Sequence, residues 1–155
     1  MKILVLSDSH GTMSSMERAL ERERPDCVLH LGDHLRDARS LARRHPQTPV
    51  YAVPGNCDLP GPGEALWQLE ELGGVRIFMT HGHAYGVKRD LLRLSMAARE
   101  LDADVAVFGH THRPFCQASD GLWLMNPGAC GQGRSGYGVI EIENGAAVCR
   151  LASAD

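Results

Sequence analysis

The sequence predicts an α/β fold in which buried strands alternate with amphipathic helices over roughly the first two-thirds of the chain. Continuous apolar runs, typical of strands buried on both faces, occur at residues 3–6, 27–29, 50–53, 75–79 and 105–108. Between several of these runs, apolar residues recur at helical spacing and predict three helices, with faces formed by Met13, Met16 and Leu20, by Leu35, Ala38 and Leu41, and by Leu91, Leu94, Ala98 and Leu101.

The boundaries and the end of the chain carry further signals. Ser14 and Glu17 have capping-box spacing and predict that Ser14 caps the first helix. From residue 115 onward, short β-like stretches separated by Gly, Asn and Asp predict antiparallel strands and hairpins at 115–118, 122–125, 137–142 and 146–151. The PGPG segment at 60–63 is the one obvious flexible connection. We expect a single domain that spans residues 1–155.

Composition and charge narrow the possible functions. The net charge of −3 includes no basic run of the kind that binds nucleic acid or an anionic membrane, so we expect a small, diffusible substrate. The longest apolar run near the N-terminus, residues 3–6, is too short for a signal peptide or a membrane span, which predicts a cytoplasmic protein. The five cysteines include no C-x-x-C pair, so we expect reduced thiols. Homo-oligomerisation is left open.

Polar side chains follow all five buried-strand candidates. The carboxyl ends of parallel strands lie at one edge of a sheet, so we expect these side chains to converge. They are Asp8, His10, Asp33, Asn56, His81, His110 and His112. Carboxylate, amide and imidazole groups at such density require a positive partner. Their donor atoms suit divalent cations, with manganese expected first and iron, nickel, zinc and cobalt as alternatives. Glycines before Asp33, Asn56 and His110 are expected to let the backbone turn sharply.

The motifs DSH, GD, GN, THGH and GHTH agree in type, order and position after strands with one family. On these residues the chain resembles the calcineurin-like metallophosphoesterase superfamily, and HLGD with Asn126-Pro127-Gly128 makes it similar to the small bacterial and archaeal phosphodiesterase branch. The resemblance implies a two-sheet β-sandwich flanked by helices, in four α/β/β/α layers. It implies a phosphodiesterase with two divalent metal ions, in which a hydroxide that bridges the metals attacks the phosphate ester.

The resemblance also assigns ligands. It gives Asp8, His10, Asp33 and His112 to one metal, and Asp33, Asn56, His81 and His110 to the other, so that Asp33 bridges. Taken singly, each residue has an ordinary alternative, such as a helix cap for Asp8. A phosphomonoesterase or nucleotide pyrophosphohydrolase of the same superfamily is the alternative enzyme. A non-catalytic binding module like the retromer subunit of this fold is the alternative from another class, and the filled ligand positions argue against it.

Cys57 occupies the position where most of the superfamily has a histidine that protonates the leaving group. A thiol is a poorer proton donor than an imidazolium, so we expect a tolerable leaving group, or a proton from water, His34 or His83. The catalytic group is predicted to comprise Asp33, Asn56, Cys57, Asp58 and His110, with Asp58 orienting its neighbours.

Several histidines, cysteines and one arginine outside the predicted ligand and catalytic residues are expected to have structural or surface roles. His30 is expected in the core or behind the ligands, and His45 on the surface at a helix end. Arg134 is expected in a solvated turn, with a bidentate contact to the phosphate as the alternative. Cys27, Cys116 and Cys149 are expected as small core residues.

Overall fold

The computed structural model describes residues 1–155, which form ten strands, three α-helices and one 3₁₀ turn. The strands are β1 (Lys2–Leu6), β2 (Cys27–His30), β3 (Val50–Ala52), β4 (Trp67–Leu72), β5 (Val75–Thr80), β6 (Val105–Val107), β7 (Phe115–Ser119), β8 (Leu122–Asn126), β9 (Gly136–Glu143) and β10 (Ala146–Ser153). The helices are α1 (Met13–Glu23), α2 (Leu35–Arg44) and α3 (Leu92–Glu100), and the 3₁₀ turn is His83–Tyr85.

Two five-stranded mixed sheets form the centre of the protein. The first sheet has the order β10-β9-β1-β2-β3, and the second has the order β4-β5-β6-β8-β7. Strands β1, β2 and β3 are parallel, as are β5, β6 and β8. The hairpin β9–β10 extends the first sheet and β7–β8 the second, so the β-rich end of the chain completes both sheets.

Alternation along β1 shows how the layers are built. Ile3 and Val5 point into a core of fifteen buried residues between the two sheets. Leu4 and Leu6 point the other way, into a core that contains Met16 of α1 and Leu41 of α2. A third core packs α3 against the outer face of the second sheet. The result is the α/β/β/α sandwich that the resemblance implies.

Most of the predicted elements are confirmed, and three details differ. The strand β4 was not predicted, because WQLEEL is a half-exposed edge strand with adjacent Glu70 and Glu71 and no clean alternation. The capping-box prediction is wrong: α1 begins at Met13, its N-cap is Thr12, and no side chain caps it. The strand β8 forms the predicted hairpin with β7 but also pairs in parallel with β6.

None of the helices combines the length and the apolar character needed to cross a membrane.

Candidate metal centre

The seven predicted residues come from the carboxyl ends of strands in both sheets. Asp8, His10, Asp33 and Asn56 follow β1, β2 and β3 of the first sheet, and His81, His110 and His112 follow β5 and β6 of the second. Their side chains meet along one edge of the sandwich. The expectation of convergence is therefore confirmed, although the edge belongs to two facing sheets and not to one open sheet.

The backbone at this edge is held in an uncommon conformation. Six non-glycine residues of the strand-end loops have positive φ angles: Asp8 (56°), His10 (45°), Asp33 (55°), His34 (80°), His110 (68°) and His112 (57°). This left-handed region is sparsely populated by residues with a Cβ and is concentrated at functional sites. The surrounding fold must therefore hold these loops in place.

Four of the residues form one compact group of potential ligand atoms. One donor atom each from Asp8, His10, Asp33 and His112 can be chosen so that all lie within 4.8 Å of one another. The Asp8 Oδ1 atom lies 3.0 Å from His112 Nε2, and Asp33 Oδ2 lies 3.8 Å from His10 Nε2. These are the residues that the resemblance assigns to the first metal.

The other donor atoms lie beside this group. His81 is fully buried, and its Nδ1 lies 2.8 Å from the carbonyl oxygen of Leu31, to which it can only donate. In the neutral ring, Nε2 then carries a lone pair, which faces Asn56 Oδ1 at 2.9 Å and Asp33 Oδ1 at 3.5 Å. The His110 ring lies 5.1 Å from that of His81, measured between centroids. Asp33 therefore stands between the two groups of donor atoms.

Most of the glycines before the ligand residues allow side chains to pack closely against the backbone and are not needed for a sharp turn. Only Gly32, of the three that precede Asp33, Asn56 and His110, has a positive φ angle, 96°. A Cβ on Gly55 would overlap the Asp33 carboxylate, and one on Gly109 would overlap the Ser7 hydroxyl and lie 2.7 Å from Asp8 Oδ2. The sharp-turn explanation is therefore wrong for Gly55 and Gly109, which are glycines because ligand side chains pack directly on them.

Asp58 fixes two of the ligand loops to each other. Its Oδ1 accepts hydrogen bonds from the backbone N–H groups of His34 and Leu35, at 3.0 and 2.8 Å, and its Oδ2 accepts one from Gly55, at 2.8 Å. Asp58 thus binds the start of α2 and the turn before Asn56. This geometry agrees with the predicted orienting role.

Asn126 performs a similar task for the loop that carries His110 and His112. Its buried amide donates to the Gly109 carbonyl at 2.9 Å and to Thr111 Oγ1 at 3.0 Å, and its Oδ1 accepts from Gly128 N–H at 2.9 Å. Asn126 belongs to the NPG motif, but no pattern in the sequence predicts this positioning role. Ser7, which donates to Asp8 Oδ2 at 2.5 Å, was likewise not predicted.

A buried polar chain supports the loop after β1. The carboxylate of Asp37 on α2 accepts hydrogen bonds from the Ser9 hydroxyl and from Gly11 N–H, both at 2.7 Å. The Ser9 Oγ atom lies 3.1 Å from His30 Nε2, and His30 Nδ1 accepts from Gly32 N–H at 3.2 Å. His30 is thus buried behind the ligands, as expected. Asp37 was missed, because a helical aspartate gives no such signal in the sequence.

Burial and neighbouring charges set the protonation of the site. Burial lowers the pKa of His30 to about 4, and burial, with the neighbouring His81 imidazole and Lys88, lowers the pKa of His110 to about 4. Burial alone would raise the pKa of Asp33, but the Cys57 N–H and the neighbouring imidazoles bring it below its ordinary value. The imidazole of His110 is therefore neutral at pH 7 and free to ligate, and Asp33 is ionised.

Four further residues named in the sequence analysis lie around the site: Cys57, His34, His83 and Arg134. Cys57 is exposed, and desolvation with the Asp33 carboxylate beside it raises the pKa of its thiol. The ring of His34 lies 5.1 Å from that of His10, and the ring of His83 lies 5.5 Å from that of His81. Arg134 is exposed, as expected of a solvated turn, and its guanidinium donates to the His112 carbonyl at 2.9 Å.

The remaining predictions concern residues away from the site. Cys27 and Cys149 lie in the core between the sheets, and Cys116 is half-buried against it, as expected. Cys130, whose role is not predicted from the sequence, is buried and contacts the Ser7 carbonyl through its sulfur at 3.2 Å. His45 is the C-cap of α2, at the helix end where it was expected.

The geometry of these side chains fits divalent cations, because several of their donor atoms lack a hydrogen-bond partner. Asp8 Oδ1 and His10 Nε2 are buried without a hydrogen-bond partner, since His112 Nε2, although 3.0 Å from Asp8 Oδ1, does not meet it in hydrogen-bond geometry. Such atoms are costly unless something satisfies them. In a neutral His81 ring, the Nε2 lone pair also faces the Asn56 carbonyl oxygen, so two acceptors face each other without a hydrogen between them. Carboxylate, imidazole and amide oxygen donors suit manganese, iron, cobalt, nickel or zinc.

A two-sheet α/β/β/α sandwich that gathers such donors at the strand ends defines a protein of the metallophosphoesterase class. Residues 1–145 match the family model of the calcineurin-like phosphoesterase superfamily domain. The chain belongs to this superfamily and is a phosphoesterase.

Named relatives cover nearly the whole chain. The probable metallophosphoesterase YsnB of Bacillus subtilis is 36% identical, over 97% of this chain and 90% of the relative. The phosphodiesterase YfcE of Escherichia coli K12 is 31% identical, over 91% of this chain and 88% of the relative. A predicted phosphoesterase structure from Streptococcus pneumoniae superposes with a TM-score of 0.82 at 28% identity, over 99% of this chain and 89% of that one.

The fold is also shared with Vps29. The structure of Entamoeba histolytica Vps29 in complex with Zn²⁺ superposes with a TM-score of 0.75 over 100% of both chains, at 21% identity. This likeness concerns the fold alone.

Proposed function

We propose that the protein is a phosphodiesterase that hydrolyses small phosphate esters at a site for two divalent cations. The observation that carries the proposal is the cluster of unsatisfied donors: buried, unpartnered Asp8 Oδ1 and His10 Nε2 in one group, and the facing His81 and Asn56 donors in the other. The names of YsnB and YfcE support the reaction class. Manganese is the metal that we propose, with iron, nickel, zinc or cobalt as alternatives.

The predicted residues would divide the ligand duties as follows. Asp8, His10 and His112 would hold one cation, Asn56, His81 and His110 would hold the other, and Asp33 would contact both. Two bound cations would supply a nucleophile by lowering the pKa of a water between them, and would offset charge on the phosphoryl oxygens.

Asn56 suits a second task in this arrangement. Its Oδ1 faces His81, so its amide NH₂ points away from the donor cluster, where Cys57 Sγ lies 3.7 Å from it. In the proposed reaction this NH₂ donates a hydrogen bond to a phosphoryl oxygen, which an aspartate at this position could not do. Asn56 would therefore orient the ester as well as ligate.

Protonation of the leaving oxygen is the step in which this chain departs from most of its superfamily. Cys57, His34 and Asp58 line one cavity of about 380 Å³ beside the donor cluster. His34 and His83 each have a buried Nδ1 without a hydrogen-bond partner. We propose that Cys57 is dispensable for esters with good leaving groups, and that His34, His83 or water gives the proton. Cys57→Ala should keep turnover of bis(p-nitrophenyl) phosphate within about threefold, because a leaving group of this acidity needs little proton transfer.

The decisive test is a substrate screen on protein reconstituted with each metal, comparing monoesters, diesters and dinucleotides. Asp33→Asn should lower diester hydrolysis by at least about 100-fold. Asp120→Asn is the matched control, because Asp120 is an exposed turn aspartate with a similar left-handed φ of 48°.

Four outcomes would contradict the proposal. Diester hydrolysis that survives Asp33→Asn would exclude the bridged site, and faster turnover of monoesters or dinucleotides would favour the other enzymes of the superfamily. Loss of activity in Cys57→Ala at unchanged metal content would make the thiol essential. Purified protein that binds none of these cations would favour the non-catalytic binding module.

A further inference from the structure

A cavity of about 520 Å³ lies beside the loop that carries His110 and His112. It has an apolar wall made by Val87, Leu91, Phe108 and Phe115, and the two aromatic rings are 6.5 Å apart between centroids. Its volume falls within the range of roughly 300–1,000 Å³ that is usual for small-ligand sites.

The cavity adjoins the donor cluster through two short connections. Thr111 lines the cavity and is the residue between His110 and His112. Val87 also lines it, and its side chain packs on Gly82, between His81 and His83: a Cβ built on Gly82 would lie 2.8 Å from a Val87 methyl carbon. The cavity and the donor cluster therefore share the loop of His110 and His112 and the Gly82–Val87 contact, and lie next to each other.

The lining also contains two positively charged side chains, Lys88 and Arg113. Both residues are exposed, and the side-chain nitrogens of both are free of hydrogen bonds and ion pairs to protein groups. The chain carries 19 acidic residues and a net charge of −3, yet the cavity lining contains no carboxylate. Its charge is therefore opposite to that of the molecule and favours an anionic occupant.

We infer that this cavity is the subsite for one ester group of the substrate, and that this group is an aromatic ring that carries a negative charge of its own. The inference rests on the proposed phosphodiesterase function and adds a substrate class to it. The apolar wall receives the ring, and Lys88 and Arg113 receive the additional charge.

Direct binding tests the subsite without relying on turnover. The probes are methylphosphonate, phenylphosphonate and 4-carboxyphenylphosphonate, which a phosphoesterase cannot hydrolyse, titrated calorimetrically into the Mn²⁺-loaded protein. Phenylphosphonate should bind about tenfold more tightly than methylphosphonate, because its ring leaves water. The carboxylate should add about two- to fivefold, as expected for solvent-exposed ion pairs.

Variants separate the wall from the cations. Phe115→Ala should remove the advantage of phenylphosphonate over methylphosphonate, and Leu91→Ala, which alters a half-buried residue outside the sheet, serves if the first variant does not fold. Lys88→Gln and Arg113→Gln should remove only the gain from the carboxylate. Arg43→Gln, an exposed arginine on α2 outside the cavity lining, is the matched control and should leave all three affinities unchanged.

Equal binding of methylphosphonate and phenylphosphonate to the parent protein would overturn the inference. So would an equal loss for all three probes in Arg113→Gln and Lys88→Gln, since the cations would then serve the phosphoryl group itself. The expected order of affinities in a protein that cleaves no diester would support the subsite and refute the proposed function, so the two failures are distinguishable.

Discussion

Replacement of Asn126 by leucine tests whether the ligand loop of the second sheet is held by one buried amide. Leucine has a similar branched shape, so the change removes polar groups with little change of volume. It deletes three hydrogen bonds, to the Gly109 carbonyl, to Thr111 Oγ1 and from Gly128 N–H. Gly109 and Gly128 are buried, so their backbone groups would lose these partners away from water.

The size of the effect follows from these contacts. At about 1 kcal/mol for each lost hydrogen bond, the free energy of unfolding should fall by about 3 kcal/mol. That is more than a 100-fold change in the ratio of folded to unfolded protein, at about 1.4 kcal/mol for each factor of ten. Because the loop carries two proposed ligands, Mn²⁺ affinity should fall by about 10- to 100-fold, the usual effect of losing a group that orients metal ligands.

Urea unfolding in the presence of a chelator measures the first effect, since bound cations would otherwise add to the stability. Titration of the folded apo-protein with Mn²⁺ measures the second. Gln117→Leu is the matched control, because Gln117 lies on the same hairpin and is exposed. An Asn126→Leu protein with the stability and the Mn²⁺ affinity of this control would refute the positioning role of Asn126.

Three further predictions concern packing, charge and metal. Gly55→Ala should destabilise the protein by about 2 kcal/mol and weaken Mn²⁺ binding, because the new Cβ overlaps the Asp33 carboxylate. The control is Gly61→Ala, where the nearest atoms to the new Cβ lie at 3.8 Å. This control should show neither effect in urea unfolding and Mn²⁺ titration. Burial would raise the pKa of Glu23, but hydrogen bonds from Arg150 and Tyr137 bring this pKa below its ordinary value. Ionised Glu23 therefore stabilises the folded protein at neutral pH, and this stabilisation is lost as pH falls through the folded-state pKa. Glu23→Gln should therefore cost about 1 kcal/mol at pH 7 and flatten the loss of stability in urea unfolding between about pH 5 and 3; an unchanged pH profile would contradict this. Mn²⁺ at about 100 times its Kd should add about 2.7 kcal/mol and raise Tm by about 5 to 10 °C, a shift that Asp8→Asn should abolish in a thermal melt.

Sequence patterns predicted the strands because their environment is uniform. A strand buried on both faces, such as β1, needs apolar residues at every position, and this leaves a continuous run in the sequence. The edge strand β4 has no such requirement, so its half-exposed residues carry no pattern. The capping-box error has a different cause. Ser14 and Glu17 have the right spacing, but the start of α1 is set by the turn after β1 and not by a side-chain cap.

The candidate ligands were predictable because they obey a positional rule, following strands directly. The residues that hold them obey no such rule. Asp37 reaches Ser9 from 28 residues away, and Asn126 reaches Gly109 across 17 residues. These contacts exist only once α2 and β8 have packed beside the loops. Their identity as buried polar groups therefore depends on tertiary structure, which local patterns do not contain.

The division of the site between two sheets has a mechanical consequence. Both carboxylates, Asp8 and Asp33, follow strands of the first sheet, whereas His81, His110 and His112 follow strands of the second. The distance between these two carboxylates and these three imidazoles is thus set by the core between the sheets, where residues such as Met125 and Val5 pack. Close-packed cores transmit changes of even one methylene. Substitutions in this core should therefore alter the spacing of the donor atoms without touching any ligand, and cation affinity should respond to core packing as well as to the ligands themselves.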